Sequence, residues 1–265
     1  MVRLLSARVA LAVAVGACSI AAYAAPVKQA SEADASCAAT KAKALQGNAA
    51  AQFNLGLMYA QGRGVTQDYA AAFNWNLRAA EQGDPDAQIS LGEMYAEGKG
   101  VAQDYAAAFN WYHKAADQGN LIAQHILAKR YYEGKGVTQD YAAALSRYRK
   151  LAEQGDSIAQ FYLGFMYRHG QGVAQDYATA LSWYRKAAEQ GNPLAQHNLA
   201  IMYYEGQGVA QDYVQAHKWF NLAGASAFDA EIRDNATKSR DIVAAKMQPA
   251  QIAEAQRLAS AWRRK

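Results

Sequence analysis

Two cysteines and four prolines in 265 residues give this chain little to staple it and little to break it. Cys18 lies in a segment expected to be removed or lipidated, which leaves Cys37 alone and excludes an internal disulfide. A Cys37-linked dimer stays open beside a monomer. Charge is sparse too, at 19% of residues with a formal net charge of +4. Loss of Arg3 and Arg8 with the N-terminal segment leaves about +2, too little for a phosphate-binding face, so no nucleic acid partner is expected. No long apolar run follows the N-terminus, which excludes a polytopic membrane protein. The chain also lacks G-x-S-x-G, H-E-x-x-H, C-x-x-C and P-loop patterns, and no serine has lysine three residues on. These absences predict a protein with no catalytic residues and no cofactor. No two of His113, His125, His169, His197 and His217 share a helix at i, i+4, so no metal is expected, and all five are read as solvent-facing.

What is present begins with an export signal. Met1–Ala24 carries two arginines, an apolar stretch from Val9 to Ala17 and the small-residue ending Ala22-Tyr23-Ala24. This order predicts a signal peptide cleaved after Ala24 and a periplasmic or secreted protein. Val15-Gly16-Ala17-Cys18 also fits a lipobox, which makes Cys18 a lipidation site in the alternative form.

Glycines 47, 83, 119, 155 and 191 recur every 36 residues, and the units between them align without gaps. Each opens with Gly and then Asn or Asp, twice followed by Pro85 or Pro193. That is a C′ glycine, an N-cap and a proline suited to the first helical turn. About twelve residues later a Gly-x-Gly, first Gly62 and Gly64, closes the first helix. Gln67-Asp68-Tyr69 and its copies open the second, with the aspartate at the positive end of the helix dipole. Ala51, Leu55, Met58 and Tyr59 form one apolar stripe, and Tyr69, Ala72, Trp75 and Ala79 form another. A hairpin this small cannot bury both stripes alone, so the units must stack.

The runs A-Q-x-x-L-G-x-M-Y, G-x-G-V-x-x-D-Y-x-x-A and W-Y-x-K-A-A-x-Q-G resemble the Sel1-like repeat, a relative of the tetratricopeptide repeat with a longer inter-helix loop. The resemblance covers Gly47 to Ser226. It implies an all-α fold, an α/α solenoid of five 36-residue helix-turn-helix repeats with helical caps. The expected organisation is a signal peptide at 1–24, a leader and capping helix at 25–46, repeats at 47–82, 83–118, 119–154, 155–190 and 191–226, and a C-terminal cap at 227–265. Within the leader, Pro26–Asp34 is expected to be flexible and Ala35–Gln46 helical. The resemblance further implies an exported, non-catalytic scaffold that binds a protein or peptide. Cysteine-rich relatives leave open a cell-wall-linked β-lactamase-like or penicillin-binding activity, although their paired cysteines are absent here. A secreted factor binding a host protein is a third reading.

At 100° per residue, repeat positions 4, 7, 11 and 14 fall opposite the packed stripe of the first helix and are expected to face outward. By resemblance to tetratricopeptide arrays they line a concave groove. The candidate partner-binding residues are Phe53, Leu57, Ile89, Glu93, His125, Lys129, Tyr132, Phe161, Phe165, Arg168, His197, Ile201 and Tyr204. Large apolar side chains on a wet surface suit a peptide or helix partner. The competing reading is that neighbouring helices cover them. The third repeat also places Arg130 where the others have Met and Arg147 where they have Trp. That pattern fits a loosened joint, an acidic-partner site, or guanidiniums that snorkel to the edge.

Overall fold

The computed structural model describes residues 30–227 and 229–262, with side chains from Cys37 onward; the expected signal segment and Cys18 lie outside them. Thirteen helices and no strand occur among the described residues. Helix α1 (Ala30–Leu45) precedes the array. The first helices of the five repeats are α2 (Ala49–Gln61), α4 (Pro85–Glu97), α6 (Leu121–Glu133), α8 (Ser157–His169) and α10 (Pro193–Glu205). The second helices are α3 (Tyr69–Glu81), α5 (Tyr105–Asp117), α7 (Tyr141–Glu153), α9 (Tyr177–Glu189) and α11 (Tyr213–Ser226). Two more, α12 (Ala230–Ala244) and α13 (Pro249–Ala261), follow. The described residues form two compact units, 30–144 and 145–262, called here the N-terminal and C-terminal units.

The helix boundaries follow from local chemistry. Asn48, Asp84, Asn120, Asp156 and Asn192 cap the first helices, each side chain accepting a backbone N–H of the first turn. Pro85 and Pro193 occupy the first turn, where no N–H is needed. Gly62, Gly98, Gly134, Gly170 and Gly206 end the same helices in the left-handed conformation. The loop is then tied back to the helix it has left. The Gln67 amide donates to the Ala60 carbonyl at 2.8 Å, and Gln103, Gln139, Gln175 and Gln211 repeat the bond.

Three contacts join the helices within each unit. Gly92 lies against the Tyr112 ring and Gly164 against Tyr184, so close that a Cβ at either glycine would stand 2.6 Å from a ring carbon. The second glycine of Gly-x-Gly serves the next level of packing. Gly100 in repeat two abuts the Tyr69 carbonyl of repeat one, and Gly136 abuts that of Tyr105, with no room for a Cβ at either position. The third contact is a buried glutamine ladder. Gln88 donates to the Ala80 carbonyl at 3.1 Å and accepts from Gln118 at 2.9 Å; Gln160 does the same with Ala152 and Gln190. Each rung gives a buried helix-end carbonyl the donor it needs.

Several expectations are corrected. The chain is helical from Ala30, inside the stretch expected to be a flexible leader. Tyr69 is 38% exposed and so is no core residue; the deep aromatic of the second helix is the residue after the tryptophan, or after Arg147 in repeat three, in Tyr112, Tyr148, Tyr184 and Phe220. Cys37 is buried beside Ala44, Leu55 and Met58.

Candidate functional site

In the N-terminal unit, the first helices α2, α4 and α6 bring seven of the candidate residues onto neighbouring elements. Phe53, Leu57, Glu93, His125 and Lys129 are partly exposed, whereas Ile89 and Tyr132 are buried. The reason lies in the angular position. Position 7 turns toward the second helices, so that Phe53 packs on the cluster of Ala79, Ala80, Ala87 and Leu91. Position 14 turns toward the tyrosine that opens the second helix, and Tyr132 meets the Tyr141 ring edge-on at 5.2 Å. Position 11 keeps the open strip, occupied by Leu57, Glu93 and Lys129.

The charges on this strip are tuned by burial. Desolvation, reinforced by Glu97, pushes the Glu93 carboxyl up to about 7, against the opposing pull of Lys99 and Arg130. Burial lowers the pKa of Lys129, an effect offset by Glu133 at 3.5 Å. Arg130 is half-buried with its guanidinium carbon 5.4 Å from the Tyr112 ring centre and 5.8 Å from that of Tyr105. It is therefore a cation held between aromatic faces.

In the C-terminal unit the outward expectation fails for three apolar residues. Phe161 is 1% exposed and Phe165 6%, and Ile201 is buried as well. Phe161 packs against Tyr162, Phe165 and Tyr184, while Phe165 stacks on His169 at 4.1 Å. Helix α8 is flanked by its own second helix α9 and by α10, the first helix of the next repeat, so both flanks of its outward stripe are covered. Arg168 is engaged internally. It donates to Glu205 at 3.0 Å, Gln207 at 3.0 Å and Asn198 at 3.3 Å, and its side chain is only 12% exposed. Tyr204 lies against Tyr213, with the Lys246 ammonium 5.1 Å from its ring centre.

His197 and His217 are also less exposed than expected, whereas His169 is exposed. His217 is 2% exposed, and the Nε2 of His197 is buried with the ring edge-on to Phe220 at 5.1 Å. Burial, with Arg168 nearby, pushes His197 down to about 4, so its imidazole is neutral at physiological pH. No group of three or more histidine, cysteine, aspartate or glutamate side chains suited to a metal occurs among the described residues. No helix among them is long and apolar enough to cross a membrane.

The sequence reading missed a further set of surface residues. Arg149 donates to the Tyr167 hydroxyl at 2.9 Å and Arg185 to that of Tyr203 at 2.9 Å. The available signal was a change between repeats: Phe73 and Leu77, then Phe109 and His113, give way at the same positions to Leu145 and Arg149, then Leu181 and Arg185.

The Sel1 repeat pattern matches residues 49–84, 85–120, 121–156, 157–192 and 193–227, two residues later in phase than the units delimited at the glycines. No curated protein matches the chain. Among solved structures, a Sel1 repeat protein from Oxalobacter formigenes is 32% identical, aligned over 81% of this chain and 88% of its own, with a TM-score of 0.68. A protective antigen of uropathogenic Escherichia coli with an SLR fold is 28% identical over 86% of this chain and 79% of its own, with a TM-score of 0.33. An immunity protein from Pseudomonas aeruginosa is 21% identical over 74% and 82%, with a TM-score of 0.42. Five matched repeats, the helix-hairpin architecture and the Oxalobacter likeness agree, and this chain belongs to the Sel1 repeat family, whose repeats generally mediate protein–protein interactions.

Proposed function

We propose that this protein is an exported, non-catalytic scaffold that binds a protein or peptide through the first-helix face of its N-terminal unit. The observation that carries the reading is the strip of Leu57, Glu93 and Lys129, flanked by Phe53 and His125, which stays partly open while the matching face of the C-terminal unit is filled by Phe161, Phe165 and Ile201. An apolar side chain beside a carboxyl that is half protonated near neutrality, followed by a half-buried ammonium, offers both contact area and polar specificity. Export rests on the n-region, apolar stretch and A-x-A order of Met1–Ala24.

Residues Phe161 and Phe165 are unsuitable as probes of binding, because truncating side chains this deeply buried would disturb the fold. A photo-crosslinking side chain at Leu57 or Lys129 tests the face directly, with Asn74 and Asn110, exposed on α3 and α5, as controls. The same partner captured from Leu57 and Lys129 in envelope extract, and not from the controls, supports the assignment. Capture from the control positions alone would remove it.

A further inference from the structure

The second helices differ between the two units in a way that the first-helix face does not explain. In the N-terminal unit the ring of Tyr95 receives the edge of Phe73 at 5.3 Å, and Tyr131 receives Phe109 at 5.4 Å. In the C-terminal unit the tyrosines at the same repeat position, Tyr167 and Tyr203, instead accept hydrogen bonds from Arg149 and Arg185. Both pairs have the same length and the same 18-residue separation, so the geometry is a repeated feature of this unit.

Charge changes together with this packing. At the position of Arg149 and Arg185 the N-terminal unit has Leu77, which is neutral, and His113, whose Nδ1 lies 2.9 Å from Asp117. Among the described residues, neither Arg149 nor Arg185 has an ion-pair partner, and both are exposed together with Lys150 and Lys186. The exposed carboxylates beyond them on these helices are Glu153 and Glu189, one for each pair of cations. The C-terminal unit thus presents a surplus of positive charge on successive second helices. Each guanidinium is oriented by a phenol on one Nη2 and keeps the rest of its donor fork for another group.

We propose that this second-helix face, centred on Arg149 and Arg185, is a docking surface for an acidic segment of a partner protein, distinct from the first-helix face. Carboxylate is the group that matches a guanidinium fork, and orienting the fork beforehand reduces what is lost on binding. Arg149 and Arg185 stand one repeat apart on successive second helices, so an extended segment carrying several carboxylates can engage both guanidiniums. Lys150 and Lys186 add long-range attraction without setting the geometry.

A fluorescein-labelled peptide with glutamate at every third position, its glutamine counterpart and the full-length protein at about 0.15 M salt give the test by fluorescence anisotropy. The wild type is expected to bind the glutamate peptide alone. Arg149→Lys/Arg185→Lys keeps the charge and removes the fork, and is expected to weaken binding by about tenfold or more. Tyr167→Phe/Tyr203→Phe removes only the two hydroxyls and is expected to weaken it by a few-fold, about threefold, with melting temperature checked by circular dichroism. If the lysine variant does not fold, the phenylalanine pair decides. Affinity unchanged in either folded variant overturns the proposal, as does no binding by wild type. Tighter capture of phosphatidylglycerol vesicles or duplex DNA than of the peptide also overturns it. A loss seen with Leu57→Ser as large as with the arginine variant would place the peptide on the other face and overturn this assignment while leaving the first-helix reading intact.

Discussion

Glu93 shows how one carboxyl on a half-open helix face ties stability to pH. Its ordinary pKa is 4.5 and burial pushes it up to about 7, so between those values the folded chain holds a proton that the unfolded chain has released. The stabilisation is fully present below about pH 4.5 and is lost as pH rises through about 7. Glu93→Gln is therefore expected to match wild type near pH 5 and to exceed it near pH 8 by on the order of 2 kcal/mol. Urea denaturation of both proteins at the two pH values checks this, and a stability gap that does not depend on pH would contradict it. Nothing in the letters around Glu93 distinguishes it from an ordinary exposed glutamate. Its environment is made chiefly by burial, which the tertiary structure contributes, with Glu97 one helical turn on reinforcing it and Arg130 from the next repeat opposing it.

At the scale of the helix and its loop, most of what matters was legible. N-caps, left-handed glycines and the proline turns depend on contacts within a few residues, and each stands where the repeat pattern put it. The two glycine classes nevertheless do different work, and only the packed structure separates them. Gly83, at φ +92°, has open space around its absent Cβ, whereas Gly100, at φ +73°, abuts the backbone of Tyr69. Gly83→Ala is expected to destabilise by about 1 kcal/mol through backbone strain alone. Gly100→Ala adds a collision with a backbone that cannot move aside cheaply, and about 2–4 kcal/mol is expected. Thermal melts of the two variants decide it, and equal losses would mean that the repeat contact at Gly100 yields easily. The glutamine ladder is of the same kind: Gln88 and Gln118 are 30 residues apart in the chain and 2.9 Å apart in space.

Over the whole molecule, stability in a repeat array is a sum of units and their neighbours, and an end unit needs a cover. Here α12 and α13 both pack on α11, whose Trp219, Phe220 and Leu222 are buried. Deleting residues 229–265 is expected to uncover that face, lower the melting temperature and promote association, which size-exclusion chromatography would detect. A monodisperse truncated chain with unchanged melting would show that the last repeat closes itself.

The repeat period, the helix ends and the need to stack were determined by the sequence itself, because each rests on local backbone chemistry or on apolar spacing that recurs every 36 residues. Which side of a first helix stays open was decided only by tertiary structure. Helical periodicity tells which residues lie opposite one another on a cylinder, but Phe161 and Leu57 share that outward half and meet different neighbours. Phe161 lies against Tyr184 and Phe165 and is closed off, while Leu57 remains partly open. Burial is a property of the surfaces that meet, and a single helix carries only one of them.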